Sequence, residues 1–317
     1  WLYQNILSNK KVIAVSGTHG KTTVTSMIAH ALINNNFDPN YLIAGIPKKL
    51  EKSWNISNDE VFVIEADEYD TCYFDKRPKF FHYRPNILLI NNIEFDHADI
   101  YENIEMIEKN FFELIKTMPS KSKVLINEEK VSKSFRNKLK KEKLKTTLQF
   151  LSLNTSNIHE ENKLLAAHAI EDLISKEKVL NGLKDYIGVK RRFETIFNNK
   201  NFKLIDDFAH HPTAIEETIK MIREQTDNLT LIVELGSNSM KRGVHDKRLV
   251  DIFKNQETYT INASAEQEKI FSVHAKELTN DDIVKICSKD EKKKTILMCG
   301  NRNFHGFQKL ILNQLIK

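Results

Sequence analysis

Residues 16–23 read Ser16-Gly17-Thr18-His19-Gly20-Lys21-Thr22-Thr23, directly behind the apolar run 11–16 and ahead of a helix-forming stretch. A glycine-rich turn between a strand and a helix aims backbone N–H groups at phosphate oxygens, and the helix N-terminus adds positive potential. In that setting Lys21 reaches the β and γ phosphates of a nucleotide, and the Thr22 hydroxyl can ligate Mg²⁺. The pattern is the short G-T-x-G-K-T form, because Val15 stands where the longer phosphate-loop signature has its first glycine. Gly17, Thr18, His19, Gly20, Lys21, Thr22 and Thr23 are therefore the candidate ATP contacts.

Two further apolar runs end in groups that suit a metal. VFVIEADEYD delivers Glu65, Asp67, Glu68 and Asp70, and NILLINNIEFDHAD delivers Glu94, Asp96, His97 and Asp99. In an open parallel sheet, ligands bind outside the carboxyl ends of the strands, so these groups and the glycine loop converge on one rim. Mg²⁺ takes oxygen ligands, which makes Thr22 and Glu65 the natural first site. His97 would suit a second ion between the γ-phosphate and an acceptor carboxylate. Any one of these acids, taken alone, is as readily a surface cap.

Positioning those groups requires strands that end together. The runs 11–16, 61–66, 86–91, 123–127, 204–208, 229–235 and 295–299 alternate with helical stretches expected at 21–34, 101–117, 161–175, 213–225 and 304–316. That alternation predicts an α/β fold: a phosphate-loop-type domain with a mostly parallel central sheet, then a smaller Rossmann-like α/β domain. Gly188 and the basic pair after it place the boundary near residue 188, giving domains 1–188 and 189–317. The lysine-rich run 136–145 lacks interleaved aromatics and reads as a solvated helix face.

The composition agrees with this picture. The chain has 317 residues, 40% of them hydrophobic, enough for real cores in two domains at ~100–200 residues each. With 48 Lys+Arg against 43 Asp+Glu the net charge is only +5, which does not point to nucleic acid or a membrane surface. No apolar run approaches the ~18–20 residues of a spanning helix, and the expectation is a cytoplasmic protein. Three cysteines, Cys72, Cys287 and Cys299, have neither disulfide-framework nor zinc-site spacing. The chain starts at Trp1 and is in a buried-type strand by residue 11, so a fragment or truncated form is expected.

Taken together, GTHGKTT, EADEYD, NNIEFDHAD, the RRFE at 191–194, DDFAHHPTAI (206–215) and MCGNRNFHGFQKL (298–310) make the chain resemble the Mur ligase family, the ATP-dependent amide-forming enzymes of peptidoglycan synthesis. The resemblance extends along essentially the whole chain. The stretch from Glu65 to Tyr101 looks most like the members that join the tripeptide L-Ala-γ-D-Glu-meso-diaminopimelate to UDP-N-acetylmuramate in peptidoglycan recycling. Members that add L-alanine to UDP-N-acetylmuramate are the alternative, as is a non-catalytic ATP-binding module.

The resemblance implies that Lys21, Glu65 and His97 are catalytic, with ATP and Mg²⁺ held by the glycine loop, Thr22, Glu65 and His97. It adds Asn162, Arg192 and Asp207 as nucleotide contacts. His210 and His211 would lie on the amine's side, with Ser237, Asn238 and Lys241 as further substrate contacts. It also implies a second domain that closes over the first as a lid about Gly188. Three departures stand out. The family's N-terminal UDP-binding domain is not in this chain, His159 replaces the first asparagine of the family's HNxxN, and Leu235-Gly236 replaces the Pro-Arg pair typical of the tripeptide-joining members.

Overall fold

The computed structural model describes residues 1–155 and 157–316. The chain divides into two compact units, Trp1–Lys190 and Arg191–Lys317.

The first unit runs β1 (Lys11–Ser16), α1 (Lys21–Ile33), β2 (Asn40–Leu42), β3 (Trp54–Asn55), β4 (Val61–Glu65), a hairpin of β5 (Asp70–Cys72) and β6 (Asp75–Pro78), then β7 (Ile87–Ile90). It continues with α2 (Ile104–Thr117), β8 (Lys123–Asn127), α3 (Lys133–Lys141), β9 (Thr147–Leu151), α4 (Ile158–Ala169) and α5 (Lys176–Gly182). Among the described residues, seven strands form one sheet in the order β3-β2-β4-β1-β7-β8-β9. All pairings are parallel except β2 with β3.

The strands are continuous apolar runs because both faces of the sheet are covered. Ile13 and Val15 of β1 pack with α1, α4 and α5. Val12 and Ala14 point the other way, into a core with Phe111, Ile115 and Phe135 from α2 and α3. Chain order places β4 and β7 on opposite sides of β1, so the loops leaving all three strands open on one crevice at the carboxyl rim.

The second unit runs β10 (Glu194–Asn198), β11 (Phe202–Asp207), α6 (Pro212–Arg223), β12 (Leu229–Glu234), α7 (Asn238–Lys241), α8 (Asp246–Phe253) and β13 (Glu257–Ile261). It ends with α9 (Ala265–Phe271), β14 (Lys276–Glu277), α10 (Asn280–Ile286), β15 (Lys294–Cys299) and α11 (Phe307–Ile316). Its sheet has the order β10-β11-β15-β12-β13-β14, parallel except for the β10–β11 pair. Here too alternate strand residues feed two cores, Leu231 and Val233 on one face and Ile232 on the other. Both units are α/β with mostly parallel sheets, as the alternating pattern implies.

Several element boundaries differ from the expected ones, and caps explain most of them. The helix expected at 161–175 occupies 158–169, because the Asn157 side chain accepts from the backbone N–H groups of His159 and Glu160. A separate helix then starts at Lys176. Asn103 caps α2 by accepting from Met106 N, moving its start from 101 to 104. Pro212 occupies the first turn of α6, which suits its fixed φ and missing N–H. A left-handed His305 (φ 50°) interrupts the stretch expected from 304, so α11 begins at Phe307. Along α3, Phe135 and Leu139 are buried while most of its lysines face solvent, consistent with a solvated face.

Among the described residues, no helix is long and apolar enough to cross a membrane.

Candidate functional site

Strand register builds the site in the first unit. Val15 is level with Glu65 on β4, and Ser16 with Ile90 on β7. The glycine loop therefore leaves β1 between Glu65 and the segment that starts at Asn91. Ser16 Oγ donates to Ala66 O at 2.6 Å, stitching the loop's base to the turn after β4.

The loop itself is pinned from the β7 side. Asn92 grips the His19 peptide with both ends of its carboxamide: Oδ1 accepts from His19 N at 3.0 Å and Nδ2 donates to His19 O at 2.9 Å. Asn91 Nδ2 donates to the same carbonyl at 3.1 Å. Thr18 N donates to Asn92 O at 3.3 Å, while Thr18 Oγ1 accepts from Glu94 N at 2.9 Å. The His19 ring lies 3.3 Å from Glu94.

Two glycines are required by this packing. At Gly17 (φ +136°) a Cβ would stand 2.9 Å from the Asn92 backbone, and at Gly20 (φ +82°) it would stand 2.4 Å from Asn91 Nδ2. Gly20 is also the N-cap of α1, whose first turn holds Lys21, Thr22 and Thr23.

Lys21 lies over the loop, its ammonium donating to Gly17 O at 2.7 Å and Thr18 O at 3.4 Å. It is 2.9 Å from Glu68 and 3.6 Å from Asp67. Burial alone would lower the lysine's pKa, but the two carboxylates outweigh it and hold the ammonium above the ordinary lysine value. Asp67 moves the opposite way: burial would raise it, and Lys21 followed by His97 holds it below the usual carboxylate range. Thr22 Oγ1 donates to Glu65 Oε1 at 2.7 Å, and Glu65 Oε2 accepts from Ala44 N.

His97 follows β7 with a left-handed backbone (φ 56°), held by its own N–H donating to Asp96 Oδ1 at 2.7 Å. Its Nε2 is 3.3 Å from Glu68 Oε1, and its ring meets Tyr69 edge-on with centroids 5.0 Å apart. Burial works against a charged imidazole, yet Glu68 outweighs it and lifts the His97 pKa above the ordinary value. Asp67, Glu68 and His97 offer ligand atoms within 4.8 Å of one another.

Asn162, on the second turn of α4, reaches the same loop: its Oδ1 would be 3.7 Å from a Cβ at Gly20. Asn162 Oδ1 and Asn91 Oδ1 are buried and accept no hydrogen bond among the described residues. A cradle sized by glycine, a helix N-terminus with a lysine, and a hydroxyl beside a carboxylate fit a nucleotide phosphate with Mg²⁺. Thr22 and Glu65 are the residues that would hold the ion.

In the second unit Asp207 ends β11, buried, with Oδ1 accepting from Ala209 N at 3.0 Å and Oδ2 from the Thr218 hydroxyl at 2.9 Å. Burial raises its pKa, with Thr218 and the charge of Arg192 pulling back. The Arg192 guanidinium lies over the Phe208 ring, 4.3 Å from its centroid. Its neighbour Arg191 is the structural member of the pair, 3.2 Å from Asp206 and donating to Gly300 O at 2.9 Å.

His210 Nδ1 pairs with Phe208 O at 2.8 Å, and the buried His211 ring meets His245 edge-on. Ser237 Oγ accepts from Met240 N and caps α7, which begins at Asn238 and ends at the exposed Lys241. At Gly236 a Cβ would stand 2.8 Å from Asn301 Oδ1 and 3.0 Å from Arg302 Cδ, and Arg302 Nε donates to Gly236 O at 2.9 Å.

Sequence pattern does not single out Asn91, Asn92 or the double role of Glu68. The one available signal is a polar pair directly behind a fully buried strand.

Comparison with known proteins gives two domain matches. The family model described as the Mur ligase middle domain matches residues 15–180, and that described as the Mur ligase glutamate ligase domain matches residues 191–302. The chain is 34% identical over 286 residues to the UDP-N-acetylmuramate–L-alanyl-γ-D-glutamyl-meso-2,6-diaminoheptandioate ligase of Haemophilus influenzae, covering 77% of this chain and 61% of the relative. It is 32% identical over 278 residues to the Escherichia coli ligase of the same name, covering 77% and 60%. The crystal structure of a murein peptide ligase from Psychrobacter arcticus superposes with a TM-score of 0.72 at 28% identity, covering 99% of this chain and 79% of that one. The chain thus spans about three fifths of the length of the curated relatives it matches.

Proposed function

The chain belongs to the Mur ligase family, and from that premise we propose that it carries the ATP-binding and amide-forming parts of a ligase joining L-Ala-γ-D-Glu-meso-diaminopimelate to UDP-N-acetylmuramate. The named relatives support that substrate pair, and the geometry around Lys21 supports the use of ATP.

A carboxylate and an amine do not condense efficiently in water, so the carboxylate must first gain a leaving group. In the proposed reaction a muramyl carboxylate oxygen attacks the γ-phosphorus of ATP and ADP departs. The amine nitrogen of the tripeptide then attacks the acyl carbon, phosphate leaves, and the nitrogen loses a proton. Lys21, already anchored to Gly17 O, would neutralise charge on the transferring oxygens. Mg²⁺, when bound, would supply further neutralisation beside Thr22 and Glu65. His97 would face the γ-phosphate and the acceptor carboxylate. Gly17 to Thr23 and Asn162 would contact the nucleotide, to which the second unit would contribute Arg192 and Asp207. His210, His211, Ser237, Asn238 and Lys241 are assigned to the amine substrate.

The observation that carries this reading is Lys21 held over a glycine cradle with Thr22 joined to Glu65. Lys21→Ala should abolish release of ADP from ATP in the presence of both substrates, and His97→Ala should still bind ATP but lose transfer. Full ligation by either variant would remove its residue from the mechanism. Supplying UDP-N-acetylmuramate with either the tripeptide or L-alanine, and weighing the product, separates the two amine assignments. ATP binding without ADP release would leave only the binding-module reading.

A further inference from the structure

Glu68 is a carboxylate at 2% exposure, deep behind the phosphate loop. A buried carboxylate is tolerated only where cations or donors compensate it. Two do: Lys21 Nζ stands 2.9 Å from Oε2 and His97 Nε2 stands 3.3 Å from Oε1. Each oxygen thus serves a residue from a different segment, one from the first turn of α1 and one from the loop after β7. The backbone at Glu68 is fixed independently, since its carbonyl accepts from the Tyr101 hydroxyl at 2.6 Å and that hydroxyl accepts from Asn110 at 3.1 Å. The carboxylate is therefore delivered from a backbone that Tyr101 pins.

We propose that Glu68 is a positioning residue that fixes the place of the His97 imidazole through one oxygen, while the other, paired with Lys21, is a charge that yields the lysine to an arriving phosphate. This rests on the phosphate-loop reading above. Lys21 does not depend on Glu68 for its location, because Gly17 O and Thr18 O also accept from it. What Glu68 adds on that side is a negative charge that a phosphate must outcompete. On the other side its Oε1 is the charge that faces the His97 Nε2 at 3.3 Å, an ion pair rather than a hydrogen bond, and the ring also meets Tyr69 edge-on.

The test is ADP binding to the full chain, measured by calorimetry in EDTA, together with the ¹⁵N histidine spectrum at one pH, with His97 assigned through His97→Gln. Glu68→Gln keeps the shape and removes the charge. It should bind ADP about fivefold more tightly and move the His97 Nε2 resonance while leaving that of His168, on α4, in place. A general structural lesion would weaken ADP binding instead. Should the Gln variant fail to fold, Glu68→Asp draws the anion back by one methylene and should tighten ADP binding about twofold while also moving the His97 resonance.

Either readout staying at its wild-type value in a folded variant overturns the shared-carboxylate role. A wild type that binds no ADP, or a Lys21→Ala variant that binds as well as wild type, overturns the phosphate-loop reading and this proposal with it. Lys21-dependent ADP binding with an unmoved Glu68→Gln overturns this proposal alone.

Discussion

Thr22 Oγ1 donates to Glu65 Oε1 across 2.7 Å, joining the first turn of α1 to the carboxyl end of β4. A hydroxyl and a carboxylate so placed would suit the protein half of an oxygen site for Mg²⁺, because that ion keeps several non-protein ligands and needs few from the chain. Glu65→Gln should therefore remove most of the gain in ADP affinity that Mg²⁺ confers, by about tenfold, while leaving metal-free ADP binding close to wild type. Calorimetry with and without Mg²⁺ checks this, and an unchanged Mg²⁺ gain would take Glu65 out of the ion's site.

Gly20→Ala attacks the cradle rather than the charge. The new Cβ would stand 2.4 Å from Asn91 Nδ2 on a backbone at φ +82°. Strain of that kind costs about 1–3 kcal/mol, and relief requires moving Asn91, which also donates to His19 O. The expected result is ADP affinity lowered by about tenfold or more, with melting temperature also reduced.

Legibility in the sequence followed the range of the interactions. β1, β4 and β7 stand out because both their faces are buried, which leaves unbroken apolar runs. β3 and the β5–β6 hairpin are too short and too exposed for any period to register, with Tyr73 and Phe74 almost fully exposed at the hairpin tip. The start of α4 is hidden because His159, Glu160, Glu161, Asn162 and Lys163 separate its first residue, Ile158, from the apolar residues that begin at Leu164. Within the site, Lys21 and Thr22 belong to a local motif and could be read directly. The contact of Thr22 with Glu65 depends on strand register, and the reach of Glu68 to both Lys21 and His97 depends on how the chain turns after β4 and β7, which no spacing encodes.

Asn92 holds the loop's shape by bonding the His19 peptide at both its N–H and its carbonyl. Asn92→Ala leaves that peptide to Asn91 alone, and each lost hydrogen bond is worth about 1 kcal/mol. ADP affinity should fall by about tenfold. Asn92→Asp retains the acceptor for His19 N but sets a carboxylate beside His19 O, so it should bind ADP no better than the alanine variant. Titration of the three proteins with ADP decides the matter, and wild-type affinity in Asn92→Ala would show that the clamp does not shape the loop.

Asp207 is a carboxylate whose burial is not offset by its hydrogen bonds. Its carboxylate is buried, and burial raises its pKa above the ordinary aspartate value despite the Ala209 N–H and the Thr218 hydroxyl. For an acid with a raised folded-state pKa, the folded chain binds the proton more readily than the unfolded chain. Stability therefore increases as pH falls from the raised value toward the ordinary one, and the ionised form is the less stable at neutral pH. Asp207→Asn removes the charge while its Oδ1 can still accept from Ala209 N. It should raise the melting temperature at pH 7 by about 3 °C and flatten that part of the pH–stability profile. If Asp207 serves the nucleotide, the same variant should lose ligase turnover as it gains stability, the trade expected where a strained group is kept for function. Thermal melts between pH 4 and 7, run beside an ADP-release assay, measure both, and a variant that melts lower at pH 7 would contradict the burial argument.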